Sequence, residues 1–194
     1  MSSSRNLARH ATDNRLYQWH TRVFMDRIAE LLERSGAETV LDAGCGEGFV
    51  ADHLKAALPH LRITGLDASA EAVEYAREHY AHAASYHVGS VYALPFDDDA
   101  FDLVLCSEVL EHLDRPDDAL AELRRVARRH VAVTVPLEPI FDTLTRINLR
   151  LGIGGDPGHV NFWTRRGFER FVGRHFDRVE TGTTLVYNWA LAEL

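Results

Sequence analysis

Apolar residues fall along this chain in blocks whose spacing alternates between two periods. From about Asp13 to Arg34 they recur every three or four positions, at Leu16, Trp19, Val23, Ile28, Leu31 and Leu32. That is the spacing of one buried helix face, and Gly36 offers a stop. "TVLDA" (39–43) is a continuous apolar run ending on an acid and reads as a buried strand. "FVADHLKAAL" returns to helical spacing and ends before Pro59. "RITGLDAS" reads as a second strand ending on Asp67, "SAEAVEYAREHYAH" as a helix capped at or near Ser69, and "SYHVGS" as a short third strand. "FDLVLCSE" is the strongest strand, "RPDDALAELRRVARR" a helix with Pro116 and two acids in its first turn, and "HVAVTVP" a fifth strand. "TRRGFERFVGRHF" is helical, and the last 17 or so residues supply two antiparallel strands.

Strands alternating with helices predict a doubly wound α/β fold, a seven-stranded and mostly parallel sheet with a terminal antiparallel strand. The whole chain, 1–194, reads as one domain, with a helical N-terminal cap over 1–36. The rhythm breaks at 136–163, which holds Pro136, Pro139, Pro157 and the glycines of "GIGGDPGH". Irregular segments of that length inside a compact domain usually carry function, and this one is expected to cover a substrate.

Composition narrows the classes. The net charge of −8 argues against a nucleic-acid partner. Arg124, Arg125, Arg128 and Arg129 form the one local basic run of note, and it reads as a solvated helix face. Two cysteines, Cys45 and Cys106, imply no disulfide framework and read as small buried residues. No run approaches the length of a membrane span, and the N-terminal residues lack a signal peptide's apolar core. A cytoplasmic protein is expected.

The candidate chemistry lies where strands end. On an open parallel sheet, ligands sit beyond the carboxyl ends of the strands, which places Asp42–Gly48, Asp67–Ser69, Gly89–Ser90 and Cys106–His112 on one rim. Gly44, Gly46 and Gly48 alternate after the first strand, so something there needs close backbone approach or positive φ. A dinucleotide fingerprint would need another glycine where Phe49 stands. Asp42 and Glu47 also charge the turn negatively, a poor setting for a pyrophosphate. An acidic turn suits a cationic ligand, and S-adenosylmethionine, with its sulfonium, ammonium and ribose, fits. Asp67, about 20 residues past the glycines, is placed to accept from ribose hydroxyls; its bland alternative is a helix cap.

"VLDAGCGEG", "GLDAS", "ALPFDDDAFDLVLCSEVLEHL" and "RRVARRHVAVTVP" together resemble, in order, the motifs of class I S-adenosylmethionine-dependent methyltransferases of the small type-11-like kind. The resemblance covers about Thr39 to Pro136. It implies that Asp42, Gly44, Cys45, Gly46 and Gly48 line the methionine part of the cofactor. By the same resemblance Asp67 holds the ribose, Ala68 packs on the adenine, and Ser90 and Val91 meet its edge. Cys106 then helps hold the amino acid end. Ser90 departs from the pattern, which usually has Asp there, so adenine recognition is expected to lean on the Val91 amide. Tyr17 and Trp19 are candidates to close over the cofactor, or a core-facing pair.

For the acceptor, a hydroxyl needs its proton removed by a base within reach, whereas a neutral amine does not. His159, in the glycine-flanked loop, and His112 and Glu108, after the fourth strand, are the candidates. Leu137, Ile140, Phe141, Leu144, Phe162 and Trp163 suggest a partly apolar, small or lipid-like acceptor, methylated on oxygen, or ordinary core contacts. "EVLEH" followed by "HVNFWT" also resembles the metal-binding pattern of small-RNA 2′-O-methyltransferases of Hen1 type. That would make Glu108, Glu111, His112 and His159 metal ligands. The reading without a metal is preferred, because adjacent Glu111 and His112 are expected to diverge and nothing basic nearby would hold an RNA end. A non-catalytic cofactor-binding partner protein is the remaining alternative; it would be marked by a damaged glycine loop, and this loop is intact.

Overall fold

The structure is a computed structural model that describes residues 15–141, 143 and 158–194. Its elements are α1 (Arg15–Ser35), β1 (Thr39–Ala43), α2 (Phe49–Ala57), β2 (Arg62–Asp67), α3 (Ala70–Tyr80), β3 (Ala84–Val88), β4 (Phe101–Ser107), α4 (Pro116–Val126), β5 (Ala127–Pro136), α5 (Arg165–Val172), β6 (Arg178–Thr184) and β7 (Tyr187–Glu193). A single 3₁₀ turn, Leu110–His112, follows β4.

The seven strands form one sheet in the order β3-β2-β1-β4-β5-β7-β6. β1 to β5 are parallel, and β7 runs antiparallel to both neighbours. The chain therefore reverses direction at β1, and β1 and β4 lie side by side, with Val40 opposite Leu103 and Asp42 opposite Leu105. Connections leaving two neighbouring strands in opposite directions open a crevice at their carboxyl ends.

Strand periodicity splits the core into two layers. Leu103 and Leu105 face α1, α2 and α3, packing with Phe24, Ile28, Leu32, Leu54 and Val73. Val104 and Cys106 face α4 and α5, packing with Leu120, Leu123, Phe168 and Val172. The first helix is thus a full core layer rather than a cap: it buries Phe24, Met25, Ile28, Leu31 and Leu32. Trp19 is exposed, and Tyr17's side chain lies outside the described residues.

One boundary differs from the sequence expectation. α4 ends at Val126, and Ala127 to Arg129 already belong to β5. Val126 and Ala127 are both fully buried, and Ala127 pairs with Phe101 across an irregular register before His130 pairs with Leu103. Pairing with β4 outweighs the helical propensity of the arginines. Those arginines are ties rather than a free basic face. Arg124 donates to the His175 carbonyl, and Arg125 to Glu122, Asp98 and two carbonyls. Arg128 reaches Asp102, and Arg129 the Ser35 carbonyl. Leu144, Pro157 and most of "GIGGDPGH", part of the expected cover, lie outside the described residues. Among the described residues no helix is long and apolar enough to cross a membrane.

Candidate active site

The glycine loop shows three different reasons for three glycines. Each has positive φ, +89° at Gly44, +51° at Gly46 and +87° at Gly48. A Cβ on Gly44 would stand 2.3 Å from Val109 Cγ2, and one on Gly48 would stand 2.8 Å from the Tyr86 hydroxyl. Only Gly46 faces open space, with no atom within 4 Å of such a Cβ. Gly44 and Gly48 are also demanded by the protein's own packing, whatever their backbone offers a ligand, and Gly46 leaves the room.

Around that space stand two acids. Asp42 ends β1 almost wholly buried, and its Oδ2 has no hydrogen-bond partner among the described residues. Burial, and then the charge of Asp67, raise its pKa to about 7. Asp67 accepts at Oδ2 from the Gly46 amide (2.9 Å) and at Oδ1 from the Ser69 amide (2.8 Å). It is not the cap of α3; Ser69 is, accepting from the Ala72 amide at 3.2 Å. Asp67 pins the glycine loop to β2 and keeps a lone pair on each oxygen for further donors.

The other sequence-derived residues sit at the rim in unequal ways. Ala68 and Ser90 are exposed, and the Ser90 hydroxyl accepts from the Tyr92 amide at 3.2 Å. Val91 buries its side chain in the core, leaving backbone as its contribution. Cys45 and Cys106 are free and buried, their thiols pushed up chiefly by burial. The Cys106 side chain is enclosed in the α4 layer and offers nothing to a ligand but main chain.

An unpartnered buried carboxylate oxygen, an open cradle of backbone and a carboxylate with spare lone pairs fit a ligand with an ammonium and a vicinal diol. S-adenosylmethionine has both. Asp42 would face its ammonium, Gly46 its methionine chain and Asp67 its ribose, and the bound sulfonium would supply an activated methyl group.

Beyond β4 the chain turns sharply. Glu108 takes a left-handed backbone (φ +57°), uncommon for a side chain with a Cβ and usually found where structure over-determines it. Thr134 of β5 supplies that constraint. Its carbonyl accepts from the Glu108 amide (3.1 Å), and its hydroxyl donates to Glu108 Oε1 (3.2 Å) and contacts Ser107 Oγ (3.0 Å). Thr134 lies within "RRVARRHVAVTVP", but only its place opposite Ser107 reveals its tie to Glu108.

The 3₁₀ turn then gathers three further groups. Glu111 is buried, and its Oε2 has no hydrogen-bond partner among the described residues. Burial, with the nearby Glu108, holds its carboxyl well above the usual carboxylate range. His112 Nδ1 lies 3.2 Å from the Gly158 carbonyl. A carbonyl only accepts, so Nδ1 carries the proton and neutral His112 keeps its lone pair at Nε2. The His159 ring stands 4.9 Å from that of His112 and stacks on Phe141 at 5.2 Å. The loop is anchored from beneath: the Val160 and Asn161 amides donate to the Glu111 carbonyl, and Asn161 Nδ2 to the carbonyls of Leu110 and Leu113. Ligand atoms of Glu111, His112 and His159 all lie within 4.8 Å of one another. The expected divergence of Glu111 and His112 is therefore wrong: on a 3₁₀ turn Glu111 Oε1 comes 3.9 Å from His112 Nε2.

Of the apolar side chains expected to form the cover, Trp163 packs into the core with Phe168 and Phe171. Ile140 (46%) and Phe162 (59%) are exposed, as is Val160 (54%) next to His159 in the chain.

The methyltransferase domain family matches residues 41–134, from β1 through β5. A demethylmenaquinone methyltransferase of Thermotoga maritima is 37% identical over 103 residues, 53% of this chain and 44% of that protein. A malonyl-[acyl-carrier protein] O-methyltransferase of Erwinia billingiae is 38% identical over 101 residues, 52% of this chain and 39% of that protein. The chain thus spans less than half the length of these curated relatives. Among solved structures, the methyltransferase domain of bacterial CtHen1 superposes with a TM-score of 0.71 at 21% identity, covering 90% of this chain and 99% of that one. Magnesium protoporphyrin IX methyltransferase of Synechocystis, solved with S-adenosylhomocysteine, gives 0.71 at 17% identity over 98% and 95%. Residues 41–134 thus match the methyltransferase domain family, the fold is the one these S-adenosylmethionine-dependent enzymes share, and S-adenosylmethionine is the cofactor that the match and the site support.

Proposed function

We propose that the chain transfers the methyl group of S-adenosylmethionine to an oxygen of a small or lipid-like acceptor bound over the ends of β4 and β5. The observation that carries this reading is the His112–His159 pair at an apolar mouth. His112 has its tautomer set by Gly158, His159 stands beside it with Phe141 and Phe162 near its ring, and Ile140, Val160 and Phe162 are exposed next to these residues in the chain. His159 is the base, and His112 its neighbour and reserve. A neutral imidazole can take the proton of a phenol as its oxygen is alkylated, and a carboxylic acid has lost its own at neutral pH. An alkanol, nearly as weak an acid as water, whose pKa is about 15.7, is far beyond it without further activation. Glu108, held by Thr134, is placed to orient the acceptor. Transfer itself needs chiefly alignment of acceptor oxygen, methyl carbon and sulfur. Relatives that methylate malonyl-[acyl-carrier protein] on oxygen, and a ubiquinone-biosynthesis O-methyltransferase of Sodalis glossinidius 34% identical over 109 residues, support an oxygen acceptor with an apolar body. Production of S-adenosylhomocysteine with a panel of phenols and carboxylic acids tests the reading. Activity is expected to survive a strong chelator and to fall about 10²–10⁴-fold in His159→Ala. Unchanged rates in both His159→Ala and His112→Ala would refute a base and point to an amine acceptor.

A second reading is favoured by the closeness of Glu111, His112 and His159, where Glu111 is buried and one of its oxygens has no hydrogen-bond partner among the described residues. These groups could hold a divalent cation, whose Lewis acidity would bring a ribose or alkanol hydroxyl within range. Activity lost on chelation and restored by Mg²⁺ or Mn²⁺ would select this reading and, with it, a 2′-hydroxyl acceptor on RNA.

A further inference from the structure

Asp42 is one of two enclosed polar groups that share a row across the sheet. In register, Asp42 of β1 lies opposite Gly65 of β2, and Gly65 lies opposite Tyr86 of β3. Such partners point to one face, here the layer that packs against α1, α2 and α3. Neighbouring strands stand about 4.8 Å apart, so the Asp42 and Tyr86 backbones are about 10 Å apart. The residue between them has no side chain, and the tyrosine uses that space. A Cβ on Gly65 would stand 2.6 Å from Tyr86 Cδ1 and 2.9 Å from Cys45 Sγ. The Tyr86 ring therefore lies across Gly65, and its hydroxyl ends against the glycine loop, 2.8 Å from where a Cβ on Gly48 would be.

Asp42 and Tyr86 are both buried, and neither Asp42 Oδ2 nor the Tyr86 hydroxyl has a hydrogen-bond partner among the described residues. One is an acceptor and the other a donor. Buried polar groups left unmet are uncommon and costly, and two of opposite kind in one enclosed row can satisfy each other. The other titratable groups around them are Asp67 of β2, Cys45 and Glu47 of the loop, Cys106 of β4, Asp52 of α2 and Tyr80 of α3. None of these can be a cation, and α1 covers the layer with Phe24, Ile28 and Leu32. Burial, and then the charge of Asp42, push the Tyr86 phenol up, so it keeps its proton and remains a donor through the neutral range. The charge of Asp42 acts on that phenol more strongly than those of Cys45, Asp52 and Tyr80.

We propose that Tyr86 is a positioning residue for the cofactor: its hydroxyl donates to the enclosed oxygen of Asp42 and holds that carboxylate, as the anion, for the cofactor's ammonium. This rests on Asp42 facing the ammonium, as the site above is built. A carboxylate has two oxygens, so an ammonium on one leaves the other for a phenol. A hydrogen bond to the charged form favours that form, and such a bond is stronger than one between neutral groups. A small turn of either side chain, or one bridging water, joins the pair. Tyr86 thereby offsets part of what burial and Asp67 do to Asp42, and it does so without touching the cofactor.

Tyr86→Phe keeps the ring and removes the donor. The test titrates S-adenosylhomocysteine into the full chain and into this variant by calorimetry, from about pH 6 to about pH 9. Without the donor, Asp42 should ionise about one to two pH units higher. The variant is therefore expected to bind about 5–50-fold more weakly than the wild type at about pH 7, and within about twofold of it at about pH 9. Taking the ratio of the two proteins at each pH cancels the titration of the ligand's own amine. In an Asp42→Asn background the same substitution should change affinity by less than about twofold. Where Asp42→Asn binds too weakly to titrate, the pH profile alone decides. A loss equal at every pH, or one that persists beside Asp42→Asn, would make Tyr86 a packing residue of the glycine loop and overturn the proposal. Unchanged affinity in Tyr86→Phe at neutral pH would overturn it too, and a weakened Asp42→Asn beside it would leave the ammonium at Asp42. Wild-type affinity in Asp42→Asn would end both.

Discussion

Asp42 should make cofactor binding a proton-releasing event. It is buried at the end of β1, one oxygen lacks a partner, and burial with the charge of Asp67 raises its pKa to about 7. In the free protein at about pH 6 it is then mostly protonated, and at about pH 8 mostly ionised. An ammonium placed against it favours the ionised form, so binding must expel the proton wherever one is present. With a free-state pKa of about 7, S-adenosylhomocysteine affinity should rise roughly tenfold between about pH 6 and pH 8. The number of protons released should fall from about 0.9 at the lower pH to about 0.1 at the upper. Calorimetry in buffers of different ionisation enthalpy reads both quantities. Asp42→Asn should bind more weakly and lose the pH dependence, which assigns that dependence to Asp42. The same group has the opposite consequence for the free protein. Its folded pKa is raised above the unfolded value, so its contribution to stability is full below about pH 4 and is lost as pH climbs through about 7. A span of roughly three pKa units corresponds to at most about 4 kcal/mol. Asp42→Asn should therefore flatten the stability profile of the free protein across that window. A pH-independent affinity in the wild type, or proton uptake on binding, would refute the reasoning.

Other outcomes follow from single contacts. Gly44→Ala should destabilise by about 2–4 kcal/mol in chemical unfolding, through strain at positive φ and collision with Val109, and Val109→Ala should restore part of the loss. Thr134→Val should lower kcat with little change in S-adenosylhomocysteine affinity, because it releases Glu108 and the Ser107 hydroxyl and touches no part of the glycine loop, and Thr134→Ser should keep most of the rate. Should Thr134→Val weaken cofactor binding as much as turnover, its role is structural. Arg125→Ala should lower stability by about 1–3 kcal/mol in thermal unfolding, since one guanidinium ties Glu122, Asp98 and the carbonyls of Leu94 and Phe96.

The glycine loop shows how far reading along the chain can go. The alternation of Gly44, Gly46 and Gly48 after an acid marked a loop that needs positive φ, and all three glycines have it. It could not say that Val109 and Tyr86, dozens of residues away, account for two of the three. Asp67 was legible as a rim carboxylate, but its bond to the Gly46 amide joins two strand ends that only the parallel pairing of β1 and β2 brings together. Glu111 and His112 were expected to diverge, and that expectation failed because it assumed a regular element where the chain makes one 3₁₀ turn.

By itself the sequence determined the alternation of strands and helices, the mostly parallel sheet and the acidic, glycine-rich rim. These depend on local periodicity and turn chemistry, which neighbouring residues impose on one another. Only the tertiary structure decided which groups meet: Thr134 with Glu108, Gly158 with His112, and rings from five segments along the ends of β5 and β7. Those contacts span up to 167 positions, from His20 to Tyr187. They arise because the chain reverses direction at β1 and again at β7, and sheet order, not sequence order, sets distance in space.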